Sequence, residues 1–84
     1  MAIEIQMSQE VRTVMEGRGI LEEDIRSVVE WAETSGVKLY QPGTEMYLAK
    51  RTIENATFYA KYSYTPPRYT IHSAYMHRSV LVED

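Results

Sequence analysis

The sequence predicts an α+β fold, with two N-terminal helices packed on a four-stranded antiparallel β-meander. Three observations carry this reading. As far as Gly36 the apolar residues recur at helical spacing, and from Val37 onward they alternate. Turn-forming residues then punctuate the second half of the chain at short intervals.

The first helix is predicted over residues 7–16, where Met7, Val11, Val14 and Met15 fall on one side. Ser8 is its expected N-cap, and Gly17 or Gly19 its stop, by supplying a left-handed residue. The second helix carries the stripe Leu21, Ile25, Val28, Val29 and Ala32, with Trp31 at the edge and Ser35-Gly36 at the end. Glu22, Glu23 and Asp24 occupy its first turn, where carboxylates meet the positive end of the helix dipole. No conventional capping side chain stands before them.

Strands are predicted at 37–40, 45–52, 56–64 and 69–76. Gln41-Pro42-Gly43-Thr44 joins the first two, with proline fixing φ and glycine accepting a positive one. Glu54-Asn55 and Thr65-Pro66-Pro67-Arg68 make the other reversals, the former through asparagine in the left-handed region. In the third strand Ala56, Phe58, Ala60, Tyr62 and Tyr64 share one face, and Thr57, Tyr59, Lys61 and Ser63 the other. In the fourth, strict alternation sets Tyr69, Ile71, Ser73 and Tyr75 against Arg68, Thr70, His72, Ala74 and Met76. Residues 1–6 are read as an edge strand, over 2–5, or a flexible N-terminus, and 81–84 as a flexible tail.

The 84 residues form one domain spanning 1–84, because a chain of this length has no room for a second core. The absence of cysteine excludes disulfides, thiolate metal sites, iron–sulfur ligation and a cysteine nucleophile, and fits a cytoplasmic protein. No basic, apolar leader opens the chain and no run is long enough to span a membrane. The formal charge of −3 sets the global field against nucleic acid. Acidic residues crowd the helical half, whereas Lys50, Arg51, Lys61 and Arg68 tip the strand half towards positive charge. Gly17-Arg18-Gly19 lacks the strand and third glycine of a dinucleotide loop, so no cofactor is expected.

Both histidines fall in Tyr69–Ser79. An odd spacing on a regular strand sends His72 and His77 to opposite faces, so they are not expected to chelate a metal. His72, His77 and Arg78 are the candidate acid–base and phosphate-binding groups, with His72 near Lys61 or Tyr59. Seven tyrosines to one phenylalanine is a composition suited to an interface, since a phenol joins an apolar body to a polar tip. Tyr59, Tyr64, Tyr69, Tyr75, His77 and Arg78 are the expected contact residues.

The stretches EGRGILEEDIRSVVEWAETSG, FYAKYSY and YTIHSAYMHRS resemble a small domain that accompanies bacterial pyridine-nucleotide-disulfide oxidoreductases of the glutamate synthase-like, iron–sulfur type. The resemblance covers residues 8–80, and its most specific part is His-x-Ala-Tyr-x-His-Arg at His72–Arg78. It implies a protein partner, a flavin or iron–sulfur oxidoreductase, and no catalysis by this chain. A looser likeness joins the RGI segment, the acidic helix start and the β-meander to RelE-type toxins and their non-toxic relatives. That likeness implies a ribonuclease or antitoxin-binding fold, with His72, Tyr75, His77 and Arg78 in proton transfer and phosphate binding. The acidic chain departs from the basic surface of such toxins. Self-association through an exposed edge strand stays open.

Overall fold

A computed structural model describes residues 3–78. The expected tail at 81–84 lies outside the described residues. The order is β1 (Ile5–Met7), α1 (Gln9–Gly17), α2 (Glu22–Ser35), β2 (Leu39–Gln41), β3 (Met46–Ile53), β4 (Ala56–Thr65) and β5 (Arg68–Arg78). The fold is α+β, but its sheet has five strands and is mixed, in the order β1-β5-β4-β3-β2. The antiparallel meander β2–β5 is the expected part. The correction is β1, which pairs parallel to β5 through Ile5–Tyr69, Gln6–Thr70 and Met7–Ile71. Met7 thereby belongs to a strand and not to the first helix, and the edge strand sits two to three residues later than expected.

Local chemistry explains the helix ends. Ser8 Oγ accepts from the Val11 amide at 3.2 Å, capping α1. Gly19 takes φ of +74°, and the amides of Ile20 and Gly19 return to the carbonyls of Met15 and Glu16 at 2.9 and 3.2 Å. These are the two bonds of a Schellman stop, and the accompanying apolar pair is Met15 with Ile20, both buried. α2 has Leu21 at its N-cap position and no side-chain cap, leaving its acidic first turn to complement the dipole, and is stopped by the left-handed Gly36. The reversal between β3 and β4 differs from expectation in one respect: Glu54, not Asn55, adopts the positive φ.

Ile25, Val28, Val29 and Ala32 of α2 are fully buried, facing β3 and β4, while α1 lies against β5. The surface beneath them is built from small residues. Ala49, Ala60 and Ala74 stand opposite one another on three adjacent strands, all buried. That row without long side chains leaves the space that the branched side chains of α2 fill. Phe58, Tyr62 and Ile71 close the core on either side of it.

Strict alternation fails in β5, and this overturns the faces expected for it. Tyr62 pairs with Ile71 and Lys61 with Ser73, so His72 has no partner residue and forms a bulge. Ile71 and Ala74 can therefore both point into the core, three residues apart. Beyond the bulge every side chain changes face relative to a regular strand: Ser73, Tyr75 and His77 look outward and Ala74 and Met76 inward.

A leucine at position 60 has no space to enter. Ala60→Leu is expected to lower the unfolding free energy by about 1–3 kcal/mol, as overpacked cores do, measured by urea denaturation. Tyr59→Leu, one residue away on the outer face, is expected to change it far less.

Candidate functional site: the uncovered sheet face

Both helices lie on one side of the sheet, and among the described residues nothing covers the other, the open side. Register places its residues in rows. Lys50, Tyr59 and Tyr75 form one row across β3, β4 and β5. Leu39, Leu48, Lys61 and Ser73 form the next, and Thr52, Thr57 and His77 the row on the other side. The rings of Tyr59 and Tyr75 lie 5.8 Å apart between centroids. Arg18, the C-cap residue of α1, reaches over the sheet edge. Its Nη1 donates to the Ala74 carbonyl at 2.7 Å, and its guanidinium carbon stands 5.6 Å from the Tyr75 ring centroid.

The bulge decides where the histidines go. His72 and His77 were expected on opposite faces; the extra residue sets both on the open one. His72 Nε2 shares a hydrogen bond of 2.8 Å with Ser63 Oγ, and His77 lies opposite Thr57 near the far end of the sheet. His72 also faces α1 across a recess bordered by Glu10, Val14 and Arg18. Among the described residues no group of three His, Asp or Glu side chains could hold a metal ion.

Electrostatics separates the two sides of the molecule. None of the five strands contains an aspartate or glutamate, whereas they hold Lys50, Arg51, Lys61, Arg68 and Arg78. Arg51 turns inward, donating to Ser27 Oγ of α2 at 2.7 Å, and Arg68 pairs with Glu4 at 3.2 Å. Lys50 and Lys61 stay on the open face, where among the described residues neither meets a carboxylate.

The six expected contact residues do not make one surface. Tyr59, Tyr75 and His77 share the open face. Tyr64 and Tyr69 belong to the helix side, at the opposite end of the sheet, with ring centroids 4.8 Å apart. Arg78 borders a recess with Gly19, Leu21 and Asp24, also on the helix side. Arg18 was missing from the expectation because it is distant in sequence and reaches the sheet only through the helix stop that precedes Ile20.

The tyrosines of the helix side have a structural task. Tyr40, Tyr47, Tyr62 and Tyr69 run across four strands with successive centroids 5.3, 5.7 and 5.8 Å apart. At their centre the buried Tyr62 hydroxyl donates to Glu33 Oε2 at 2.6 Å, Lys38 Nζ meets the same oxygen at 2.6 Å, and Tyr69 donates to Oε1 at 3.5 Å. Burial alone would raise the Glu33 carboxyl. The Lys38 and Tyr62 hydrogen bonds and the Lys38 charge outweigh it, and hold the group below the usual carboxylate range. Burial, and next the facing Glu33 carboxylate, push the Tyr62 and Tyr69 phenols above theirs.

Comparison with family models, with curated proteins and with solved structures returns no match. The two resemblances therefore rest on the residues quoted for them. No helix among the described residues is long and apolar enough to cross a membrane.

Two outcomes follow from the Glu33 cluster. Tyr62→Phe keeps the packing and deletes a charge-assisted hydrogen bond, which is expected to cost about 1.5–3 kcal/mol in denaturant unfolding. Because Glu33 is more acidic folded than unfolded, its contribution is complete above about pH 4.3 and disappears as pH falls through its lower folded value. Glu33→Gln should therefore flatten the acid limb of the stability–pH curve. The two phenols act in the opposite sense, their contribution being complete below about pH 10 and lost as pH rises.

Proposed function

We propose that this chain is a non-enzymatic cytoplasmic binding domain that docks through its open sheet face onto an acidic surface of a protein partner. The single observation that supports the reading is the segregation of charge. Every described carboxylate lies in a helix, a turn or the N-terminal lead, and the face built by the strands presents Lys50, Lys61 and the Arg18-flanked Tyr75. Like-charged lysines on one face hinder self-stacking and favour an anionic counterpart. Tyr59 and Tyr75 supply the apolar centre that such an interface needs. A flavin or iron–sulfur oxidoreductase is the partner class that the first resemblance implies.

The test is affinity capture from the native host, followed by reconstitution of the complex from two purified proteins. Tyr75→Ala is expected to weaken it by about 2 kcal/mol, the scale of a central interface aromatic. Lys61→Glu should slow association and reverse its salt dependence. A reconstituted complex insensitive to both substitutions would exclude the open face as the docking surface.

One observation favours a second reading, a RelE-like ribonuclease or non-toxic relative. The Ser63–His72 hydrogen bond lies on the same face as Lys61 and beside the recess bordered by Glu10 and Arg18. This reading expects growth arrest on induced expression, relieved by His72→Ala, and cleavage of RNA by the purified protein. Normal growth together with intact RNA would exclude the ribonuclease.

A further inference from the structure

The two margins of the sheet are finished differently. On the β5 side the strand beyond β1 is closed off by the His72 bulge, by α1 alongside, and by Arg18 bonded to the Ala74 carbonyl. On the other margin β2 covers only Met46–Leu48 of β3, and among the described residues the stretch Ala49–Ile53 has no neighbouring strand on that side.

Hairpin geometry shows which peptide groups are free there. Glu54-Asn55 is a two-residue turn, so its flanking pair Ile53–Ala56 exchanges hydrogen bonds, as do the alternate pairs Arg51–Phe58 and Ala49–Ala60. The backbone N–H and C=O of Lys50 and Thr52 therefore point away from β4. Among the described residues no turn, loop or side chain bonds to them. Beside this edge lies an apolar recess of about 510 Å³ bordered by Val37, Leu39, Leu48, Ala49 and Tyr59. Val37 and Leu39 are 57% and 68% exposed, an unusual state for aliphatic side chains lying side by side. A cavity of about 150 Å³ suffices to hold benzene, so the recess has room for an aliphatic or aromatic side chain.

Charge selects the occupant. Lys50 stands at the recess without a carboxylate among the described residues, whereas the nearby Lys38 is already paired with Glu33. Antiparallel self-pairing about Lys50 or Arg51 would set a cation opposite its own copy, which opposes the pairing in those two registers. We propose that the Ala49–Ile53 edge of β3 receives an extended acidic–apolar segment of a partner protein as an added strand. Its backbone bonds to Lys50 and Thr52, it places a carboxylate beside Lys50, and it fills the Val37–Leu39–Leu48 recess with an apolar side chain. The inference rests on the docking reading above and specifies how the partner engages.

The probe is a fluorescein-labelled peptide, Thr-Val-Thr-Glu-Thr-Val-Thr, whose one strand face reads Val–Glu–Val, with a control carrying Lys for Glu. Fluorescence anisotropy is expected to show saturable binding of the first and not of the second. Thr52→Pro removes a free N–H and leaves the backbone bonds of the β3–β4 ladder in place, losing between those strands only the Thr52–Thr57 hydroxyl contact. It should weaken binding about tenfold, the loss of roughly one hydrogen bond and its geometry, with circular dichroism confirming the fold. Lys50→Glu provides a variant that does not alter the backbone: it should reject the Glu peptide and accept the Lys one. Absence of saturable binding overturns the inference, as does binding indifferent to both Thr52→Pro and Lys50→Glu. A dimer in sedimentation that Thr52→Pro dissolves overturns it in favour of a second copy. If the reconstituted partner complex responds to Tyr75→Ala but not to Thr52→Pro, the added strand is wrong while sheet-face docking stands. If neither variant affects that complex, both fail.

Discussion

The row Ala49–Ala60–Ala74 is the constraint on which the rest of the molecule depends. An 84-residue chain has little apolar material, and stability requires its helices to seat closely. Three adjacent alanines permit that only on one side of the sheet, and both helices go there. Among the described residues no helix is left to cover the opposite face. An open face is thus the consequence of how this chain makes its core, and its polar and aromatic residues are what make it tolerable in water. β1 and β2 are only three residues each, so β5 beyond β1 is closed off by α1 and Arg18 and not by a strand, and β3 beyond β2 has no strand neighbour among the described residues.

The His72 bulge keeps the row intact. A regular β5 cannot point both Ile71 and Ala74 inward, and without Ala74 the row would end at β4. One extra residue restores the phase and, as a by-product, delivers Tyr75 and His77 to the face that already holds Tyr59 and Lys61. The composition of the open surface is therefore coupled to core packing through a single irregularity. At the other end of the sheet, the Glu33–Lys38–Tyr62 cluster ties the last turn of α2 to β4. Its ionised carboxylate is acceptable in a half-buried place because three donors converge on its two oxygens.

Much of this was legible in the residues. The apolar spacing of Ile25, Val28, Val29 and Ala32, the Ser8 cap, the Pro42-Gly43 turn and the alternation of Ala56 to Tyr62 each have a local cause, and each is found where that cause puts it. What escaped was non-local. β1 is three residues with no distinctive pattern, and its pairing with β5 depends on a partner more than sixty positions away. The bulge leaves a trace, since Ile71 and Ala74 are both apolar at a spacing of three. Alternation is the stronger prior, however, and two residues cannot outweigh it. Tyrosine is ambiguous for the same reason: composition cannot tell Tyr62, whose hydroxyl is buried on a carboxylate, from Tyr75, which is 49% exposed.

Charge shows how local and global signals diverge. A net charge of −3 matches no described surface of this molecule, because the described acidic residues lie on helices, turns and the N-terminal lead and the strands hold none. Within about 10 Å, the screening length at 0.1 M salt, a partner senses the groups it faces and little of those behind the sheet. On the open face those groups are Lys50, Lys61 and the edge of Arg18. The described helices hold most of the acidic charge, and on the proposed reading the strands are left free to meet an anionic counterpart. The proposed strand addition at the β3 edge extends that logic from side chains to backbone: on that proposal Lys50 opposes a second copy paired about itself and marks which foreign strand can pair.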